Sequence, residues 1–433
     1  MKFPDLHRVT QKFAATDLAE PASVARQAIL ESKIASRLKP GARVAITAGS
    51  RGIAGIASIL QSIVTAVRDL GFDPIIVGAM GSHGGATAQG QLELLGEFGI
   101  TSTAMNCQIH TEMETVELGV NSFGLPICFD ANAHAADGII VVNRIKPHTS
   151  FTGQYESGLL KMLAIGLGKR EGASQVHKLG LQGLKKLIPE VGTFLLRNTS
   201  VVLGLAILEN AREQTARIVP VEPEDILEQE PKLLDEAREM MGRLPFDSID
   251  FLVVGELGKN YSGTGLDPNV IGRQRVETMP DLPRPVVTRL AVLDLAEESH
   301  GNALGIGLAD LTSDRFVRKI DLKPMKMNSF TSNFLTRARV PLSMPTDQEV
   351  IAVGLDTCWR TTWKEARIVF IPNTLELENL YISSALFTEA VSNPLLMVEN
   401  EPTSWAFDAS GHIDQAKLFP MANQGRRLSN SHK

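Results

Sequence analysis

The chain has 433 residues and a net charge of −6, and 43% of its residues are hydrophobic, so we expect a globular protein with two domains. Aromatic residues make up only 5%, and no run of Lys or Arg exceeds three residues, which argues against a nucleic-acid partner. The three cysteines are far apart, which excludes a cysteine-rich zinc site and fits a reducing compartment. Because no apolar segment resembles a signal peptide or a membrane span, we predict a cytoplasmic enzyme without a membrane partner.

The first half of the chain alternates between helical patterns and apolar runs of strand length. Helices are predicted at 23–38, 56–70 and 88–98. Strands are predicted at 43–49, 73–80, 138–145 and 201–210. This alternation predicts parallel strands that are connected by crossover helices.

The second half begins with a charged segment, 220–245, which contains four prolines and is predicted to be a connector helix. The strands of a second α/β domain are predicted at 250–257, 288–295 and 366–373. We therefore predict two α/β domains with largely parallel sheets and an active site in the cleft between them. Their predicted bounds are 1–245 and 246–423, followed by a flexible tail at 424–433.

The first predicted strand ends in a glycine-rich turn with Gly49, Ser50, Arg51 and Gly52. Backbone N–H groups in such a turn can hold a phosphate at the start of a helix, and Arg51 could pair with it. The turn resembles the opening of a short-chain dehydrogenase, but none of the three tyrosines has a lysine four residues later. Hydride transfer from NAD is therefore not favoured, while phosphate binding and a purely structural tight turn both remain open.

Three histidines and a lysine follow later in the chain. His83 lies in the turn GSHGGAT, and His148 follows Pro147 directly after another predicted strand. Lys161 lies in the apolar segment LLKMLAIGL, where a charged amine is costly unless it is paired, shifted in pKa or modified. His177 comes 16 residues after Lys161. Two imidazoles can exchange protons, an amine can carry a covalent group, and a third imidazole can bind a metal.

In order and spacing, these motifs resemble those of the nickel-pincer lactate racemase family. The matching pattern is a strand-turn arginine, a Gly-x-His-x-x-x-Thr turn, a strand-end histidine, a Ser-Gly-x-x-Lys segment and a final histidine. The resemblance is clearest over residues 40–180. It implies a racemase or epimerase of a 2-hydroxy acid, with maturation enzymes for its cofactor as partners.

The resemblance also implies a cofactor, the nickel-pincer nucleotide, which is a pyridinium mononucleotide with two sulfur-containing arms. Lys161 would be joined to it through a thioamide, and His177 would be the protein ligand of the nickel, whose square-planar geometry suits such donors. The turn around Arg51 would receive the phosphate. His83 and His148 would exchange protons with the substrate hydroxyl while the α-hydride moves to the cofactor and back.

Three departures separate this chain from lactate racemase itself. Ala48 stands where the family usually has an acidic residue, and the spacing from His148 to Lys161 is 13, a few residues longer than in lactate racemase. The lysine that anchors the substrate is not obvious in the second domain. A weaker sequence resemblance to the family continues into the second domain. It suggests that the substrate contacts are Arg273, Arg275 and His300. The substrate therefore remains open, and the pocket is expected to differ from that of lactate racemase.

Two other classes of protein remain as alternatives. One is an NAD(P)- or metal-dependent oxidoreductase or hydrolase, which metal analysis would separate, because zinc without sulfur would favour hydrolysis. The other is a non-catalytic nucleotide-binding homologue, which would not need two bases and a cofactor-bearing lysine. The sequence leaves the oligomeric state open, with a homodimer as one option.

Overall fold

The computed structural model describes residues 2–13, 17–276 and 279–420. The chain divides into an N-terminal unit, Ala15–Met241, and a C-terminal unit, Gly242–Lys433, which also includes Met1–Ala14. The first strand, β1 (Leu6–Gln11), pairs with strands of the C-terminal unit. The N-terminal unit therefore begins later than the predicted domain 1–245. The sequence did not reveal this, because a six-residue strand whose partners lie 369 or more residues away leaves no local signal. The predicted tail at 424–433 lies outside the described residues.

The N-terminal unit is built on a six-stranded sheet and a separate hairpin. Its strands are β2 (Arg43–Ala48), β3 (Asp73–Gly78), β4 (Gln108–His110), β5 (Thr115–Val120), β6 (Pro126–Asp130), β7 (Gly138–Arg144), β8 (Val201–Glu209) and β9 (Thr215–Val221). The strand order is β4-β3-β2-β7-β8-β9, and all neighbours are parallel except β9, which runs antiparallel to β8. Strands β5 and β6 form the antiparallel hairpin.

Helices cover this sheet because their apolar residues recur at helical spacing. The helices of the N-terminal unit are Pro21–Glu31, Ile34–Arg37, Ile56–Asp69, Ala88–Glu97, Ser102–Met105, Ala131–Ala135, Leu159–Lys161, Lys169–Lys178, Gly180–Gln182, Ile188–Asn198 and Ile226–Met240. Two π-helical stretches, Met162–Gly166 and Gly183–Leu187, continue the short helices before them. In helix Ile56–Asp69, for example, Ile59, Ile63 and Val67 are buried in one core cluster with residues of β2.

The predicted connector helix at 220–245 begins only at Ile226, which corrects its first residues. Pro220 and Val221 instead complete β9. This strand lies at the edge of the sheet, where proline is tolerated because no further strand needs its missing N–H donor. Three of its residues, Thr215, Ile218 and Val221, are buried, and the other four are partly or fully exposed.

The C-terminal unit contains an eight-stranded mixed sheet. Its further strands are β10 (Ser248–Leu257), β11 (Val286–Leu295), β12 (Leu311–Ser313), β13 (Leu342–Met344), β14 (Ile368–Ile371), β15 (Asn379–Ser383) and β16 (Leu396–Val398). The order is β13-β12-β11-β10-β14-β15-β1-β16. Strands β10 to β14 are parallel, whereas β15, β1 and β16 pair antiparallel. The prediction of two α/β assemblies with largely parallel sheets is confirmed.

The helices of the C-terminal unit are short. They are Pro268–Ile271, Asp314–Arg318, Leu322–Ser332, Asp347–Thr357, Phe387–Val391 and Gln415–Leu418. Within the described part of the chain, no helix of either unit combines the length and the apolar character that crossing a bilayer would require.

The carboxyl ends of three strands of the N-terminal unit lie side by side. Strand β2 pairs in parallel with β3 on one side and with β7 on the other. The turns that follow these strands, at 49–55, 79–87 and 145–158, therefore share one edge of the sheet. In open α/β sheets this is the edge at which ligands bind.

Candidate functional site

The turn after β2 brings Ser50 and Arg51 to this edge. A Cβ atom added at Gly49 would lie 3.1 Å from Met162 Cε, a tight contact with a flexible side chain of the π-helical stretch. Ser50 Oγ forms a short hydrogen bond with His83 Nδ1, which joins the turns after β2 and β3. Partial desolvation, followed by the positive charge of Arg144, lowers the pKa of Arg51. The site therefore holds two guanidinium groups close together.

The turn after β3 is held by side chains and backbone around His83. The Gly81 N–H donates to the Gly166 carbonyl at 3.1 Å, which ties the turn to the π-helical stretch. Gln91 Nε2 donates to the carbonyls of Gly81 and His83 at 3.0 and 3.3 Å. Gly81 has a φ of +57°, a conformation that a residue with a Cβ atom rarely adopts. The hydrogen bonds thus fix the turn that carries His83, and the positive φ explains why that turn contains Gly81.

Lys161 ends the first helical turn of its segment, and its Nζ donates to Ser157 Oγ at 3.3 Å. Burial lowers the pKa of the Lys161 amine to about 8, and the positive charge of Arg51 acts in the same direction, although Glu156 partly offsets both. At pH 8 about half of the Lys161 amines are neutral, against roughly one in 300 for a lysine of ordinary pKa. This amine is therefore unusually nucleophilic.

His177 lies on helix Lys169–Lys178 and belongs to the same charged group. Burial, followed by the positive charge of Lys161, lowers the pKa of its imidazole. The pKa of His83 is also lowered, first by desolvation and then by the positive charges of Arg51, Lys161 and His177. His83 and Arg51 are open to solvent on one side, while neighbouring protein removes part of their hydration. The structure thus brings four of the sequence-predicted residues to one site.

His148 reaches the same edge from β7, on the other side of β2 from His83. Its backbone N–H donates to Glu156 Oε2 at 2.5 Å, and its Nδ1 accepts from the Ser150 N–H at 3.1 Å. The ring packs against Phe151 with a centroid distance of 4.6 Å. Because Nδ1 accepts a hydrogen bond, the proton of the neutral imidazole is on Nε2.

Two residues that were predicted to contact the substrate, Arg273 and Arg275, lie away from the edge of the sheet where ligands bind. Arg273 is buried, and its guanidinium donates to the carbonyls of Leu308, Val287 and Thr288 at 2.9 to 3.0 Å and pairs with Asp310 at 2.8 Å. Arg275 also contacts Asp310, at 3.4 Å. Val287 and Thr288 lie near the start of β11, and Asp310 directly precedes β12, so both arginines are at the amino ends of the strands. This is the edge opposite to the one where ligands bind.

Two other residues lie at the carboxyl ends of the strands in the C-terminal unit. His300 follows β11 and is exposed, with a φ of +46°. Lys259 comes two residues after the end of β10, and its Nζ donates to the carbonyls of Gly263 and Leu304 at 3.2 and 3.1 Å. Lys259 therefore lies at the edge of the sheet where ligands bind in open α/β folds. The sequence analysis did not single out Lys259, although the strand predicted at 250–257 ends at the same residue as β10.

A buried ion pair behind the site was also missed. Lys169 Nζ lies 2.8 Å from Asp130 Oδ2, and both side chains are at most 1% exposed. The same ammonium donates to the Gly78 carbonyl at 2.7 Å, at the end of β3. Lys169 therefore connects the start of the His177 helix to the strand that leads to His83. The sequence feature that could have revealed this ion pair is Lys169 itself, a second lysine at the end of the apolar segment that contains Lys161.

Comparison with known proteins gives a family match for the first part of the chain. Residues 10–186 match the family model described as the lactate racemase N-terminal domain. This part of the chain is therefore similar to the N-terminal domain of lactate racemases. The match covers the turns that carry Arg51, His83 and His148, as well as Lys161 and His177. No functionally curated protein matches the sequence.

Solved structures agree with a lactate racemase fold. The apoprotein of lactate racemase from Thermoanaerobacterium thermosaccharolyticum is similar with a TM-score of 0.51 at 10% sequence identity, over 86% of this chain and 99% of that chain. A structural-genomics target from Thermotoga maritima has a TM-score of 0.47 at 12% identity, over 73% of this chain and 81% of that one. At such low identity the first likeness supports the fold alone.

The lowered pKa of the Lys161 amine gives a direct prediction about its reactivity. In protein produced without cofactor, the rate of acetylation of Lys161 by acetic anhydride should rise with pH and level off just above pH 8, because only the neutral amine reacts. A lysine in a short peptide, with a pKa of about 10.4, is the reference. Peptide mass spectrometry measures both rates. An inflection for Lys161 at the pH of the reference lysine would contradict the site electrostatics.

Proposed function

We propose that this protein is a racemase or epimerase of a 2-hydroxy acid and that it works with a nickel-pincer nucleotide attached to Lys161. The observation that carries the proposal is the group formed by Arg51, His83, Lys161 and His177 at one edge of the sheet. In a purely structural role, basic side chains need not lie so close together that each lowers the pKa of another. In a site that receives an anionic cofactor and an anionic substrate, such a cluster of basic side chains is expected.

The residues present fit this cofactor. The Lys161 amine is half neutral at about pH 8, as the formation of an amide-type bond needs. The lowered pKa of His177 keeps its imidazole neutral, which is the form that binds a metal. Arg51, with Arg144 beside it, presents the positive charge that a phosphate group requires. Among the described residues no three His, Cys, Asp or Glu side chains form a metal site, so nickel at His177 would take its other ligands from the cofactor.

When bound, the cofactor supplies a centre that accepts the α-hydride of the substrate and returns it. The residues of the chain move the hydroxyl proton. If His83 donates its Nδ1–H to Ser50 Oγ, Nε2 keeps a lone pair that can accept a proton. The lowered pKa leaves this ring neutral at pH 7, and it also makes the ring a weaker base. We therefore assign His83 as the base for one enantiomer.

His148 has the opposite tautomer in this structure. Its Nε2 carries a proton as long as Nδ1 accepts from the Ser150 N–H, so it presents a donor to an oxygen of the substrate. For His148 to accept a proton at Nε2, the bond to Ser150 must break and the ring must change its tautomer. The two neutral histidines thus differ in tautomer: Nε2 of His83 offers a lone pair, and Nε2 of His148 offers an N–H donor.

The test of this function is interconversion of enantiomers. Protein co-produced with the cofactor maturation enzymes should convert single enantiomers of a panel of 2-hydroxy acids into mixtures, as followed by chiral chromatography. The variant Lys161→Met should have no activity, whereas Lys178→Met, an exposed lysine on a neighbouring helix, should be as active as the wild type. Activity that needs NAD(P) or zinc, or that survives in Lys161→Met, would instead support an oxidoreductase or a hydrolase.

A further inference from the structure

Helix Ile226–Met240 lies directly behind the segment that connects His148 to Lys161. Tyr155 Oη donates to the Leu227 carbonyl at 2.7 Å, near the start of this helix. Glu230, one turn later, contacts the start of the Lys161 segment, and Arg238, two turns further, contacts the loop after His148. The sequence predicted only a connector here. The contacts instead place it against both functional segments.

Glu230 holds the turn that carries Lys161. Its side chain is only 1% exposed, and Oε2 accepts the Leu160 N–H at 3.0 Å. The carboxylate also interacts with the backbone N–H of Leu159. A Cβ atom at Gly158 would overlap Glu230 Oε1, so glycine is what allows this approach. The first N–H groups of a helical turn lack partners within it, and a carboxylate with two acceptor oxygens can serve both.

Keeping a carboxylate at this position is costly. Desolvation raises the pKa of Glu230 to about 7, even though the two N–H groups of Leu159 and Leu160 act in the opposite direction. Glutamine has the same length but only one acceptor, and its NH₂ group would meet a second N–H donor. A residue whose only purpose was to fill space behind the turn would not need two acceptor oxygens.

Arg238 acts on the other functional segment. Glu156 is only 2% exposed, and its carboxylate accepts the N–H groups of His148 at 2.5 Å and Gly153 at 2.9 Å. Arg238 Nη2 pairs with Glu156 at 2.6 Å and donates to the Gly153 carbonyl at 3.0 Å. Without this guanidinium, the buried carboxylate that holds the His148 backbone would lose its charged partner.

We propose that helix Ile226–Met240 carries two positioning residues with separate targets: Glu230 sets the direction of the Lys161 amine, and Arg238, through Glu156, sets the loop that presents His148. This inference rests on the proposed function, because that function gives Lys161 and His148 their roles. The two contacts lie two turns apart on the helix and reach different ends of the segment. Their effects should therefore separate.

The experiment compares Glu230→Gln and Arg238→Met with Lys232→Met, which changes an exposed lysine on the same helix. The first measurement is hydrogen exchange in unloaded protein. Glu230→Gln should speed exchange at Leu159 and Leu160 by about 10-fold, since one hydrogen bond is lost, and Arg238→Met should do so at His148 and Gly153. Lys232→Met should change neither pair. A general loss of stability would instead move both pairs together.

The second measurement uses protein co-produced with the maturation enzymes. Glu230→Gln should lower the fraction of Lys161 peptide that carries the adduct, whereas Arg238→Met should keep the adduct and lower kcat with little change in KM. Unchanged exchange at Leu159 and Leu160, or a full adduct with wild-type kcat in Glu230→Gln, would overturn the role of Glu230. Unchanged exchange at His148 with wild-type kcat in Arg238→Met would overturn that of Arg238. If wild-type protein carries no adduct, the proposed function fails, while the exchange data still decide the contacts.

Discussion

Replacing His83 with glutamine is expected to lower the rate of racemisation by about 10²–10⁴-fold while the cofactor stays attached. Glutamine can keep a hydrogen bond to Ser50, but it cannot take up a proton. In the folded protein the His83 imidazole has a lowered pKa and lies close to Arg51, Lys161 and His177. Loss of this group removes a base and leaves the charges that receive the cofactor in place.

The comparison needs a matched control and a check of loading. His134→Gln changes an exposed histidine on the short helix Ala131–Ala135 and should keep wild-type kcat. The fraction of Lys161 peptide with an adduct should be equal in all three proteins, so that a fall in kcat reports proton transfer. If His83→Gln racemises at the wild-type rate with full loading, the assignment of His83 as a base is wrong.

Replacing Lys169 with methionine is expected to destabilise the N-terminal unit by about 3–5 kcal/mol, because it leaves the buried carboxylate of Asp130 without its charged partner. The two side chains are 0% and 1% exposed, so water cannot take the place of the lost ammonium. The Gly78 carbonyl would also lose its donor. We expect the loosening to begin at the end of β3 and at the start of the His177 helix, since Lys169 joins them.

The measurement must report on the N-terminal unit by itself. All three tryptophans, Trp359, Trp363 and Trp405, lie in the C-terminal unit, so their fluorescence would follow the other sheet. Native-state hydrogen exchange of residues in β3 and in helix Lys169–Lys178 is suitable. Arg170→Met, which changes the exposed neighbour, should shift stability by no more than about 0.5 kcal/mol. A shift below about 1 kcal/mol for Lys169→Met would show that the pair is not the support we describe.

The central strands could be predicted from the sequence for a simple physical reason. Strands such as β2 and β8 are covered on both faces, so each reads as a continuous apolar run. Other strands were missed, most of them short. Two of these, β1 and β9, are only partly buried, and the partners of β1 are far away in sequence. Local patterns do not contain such long-range pairings.

The residues of the site also fall into those that local sequence patterns could predict and those that depend on long-range contacts. The position of His83 and His148 at the edge of the sheet could be predicted because each comes a few residues after a recognisable buried strand. Arg273 and Arg275 were misjudged because the sequence does not say to which end of a neighbouring strand a loop returns. Glu230 was missed because a buried carboxylate in a charged helix looks like its exposed neighbours until its partner at Leu160 is known.

The most direct test of the central claim is the mass of the tryptic peptide that contains Lys161, from protein co-produced with the maturation enzymes. We predict a covalent adduct on Lys161 that contains sulfur and phosphorus, together with nickel bound to the intact protein. The adduct should be absent when the maturation enzymes are left out. Racemase activity in protein whose Lys161 is fully unmodified would contradict the account.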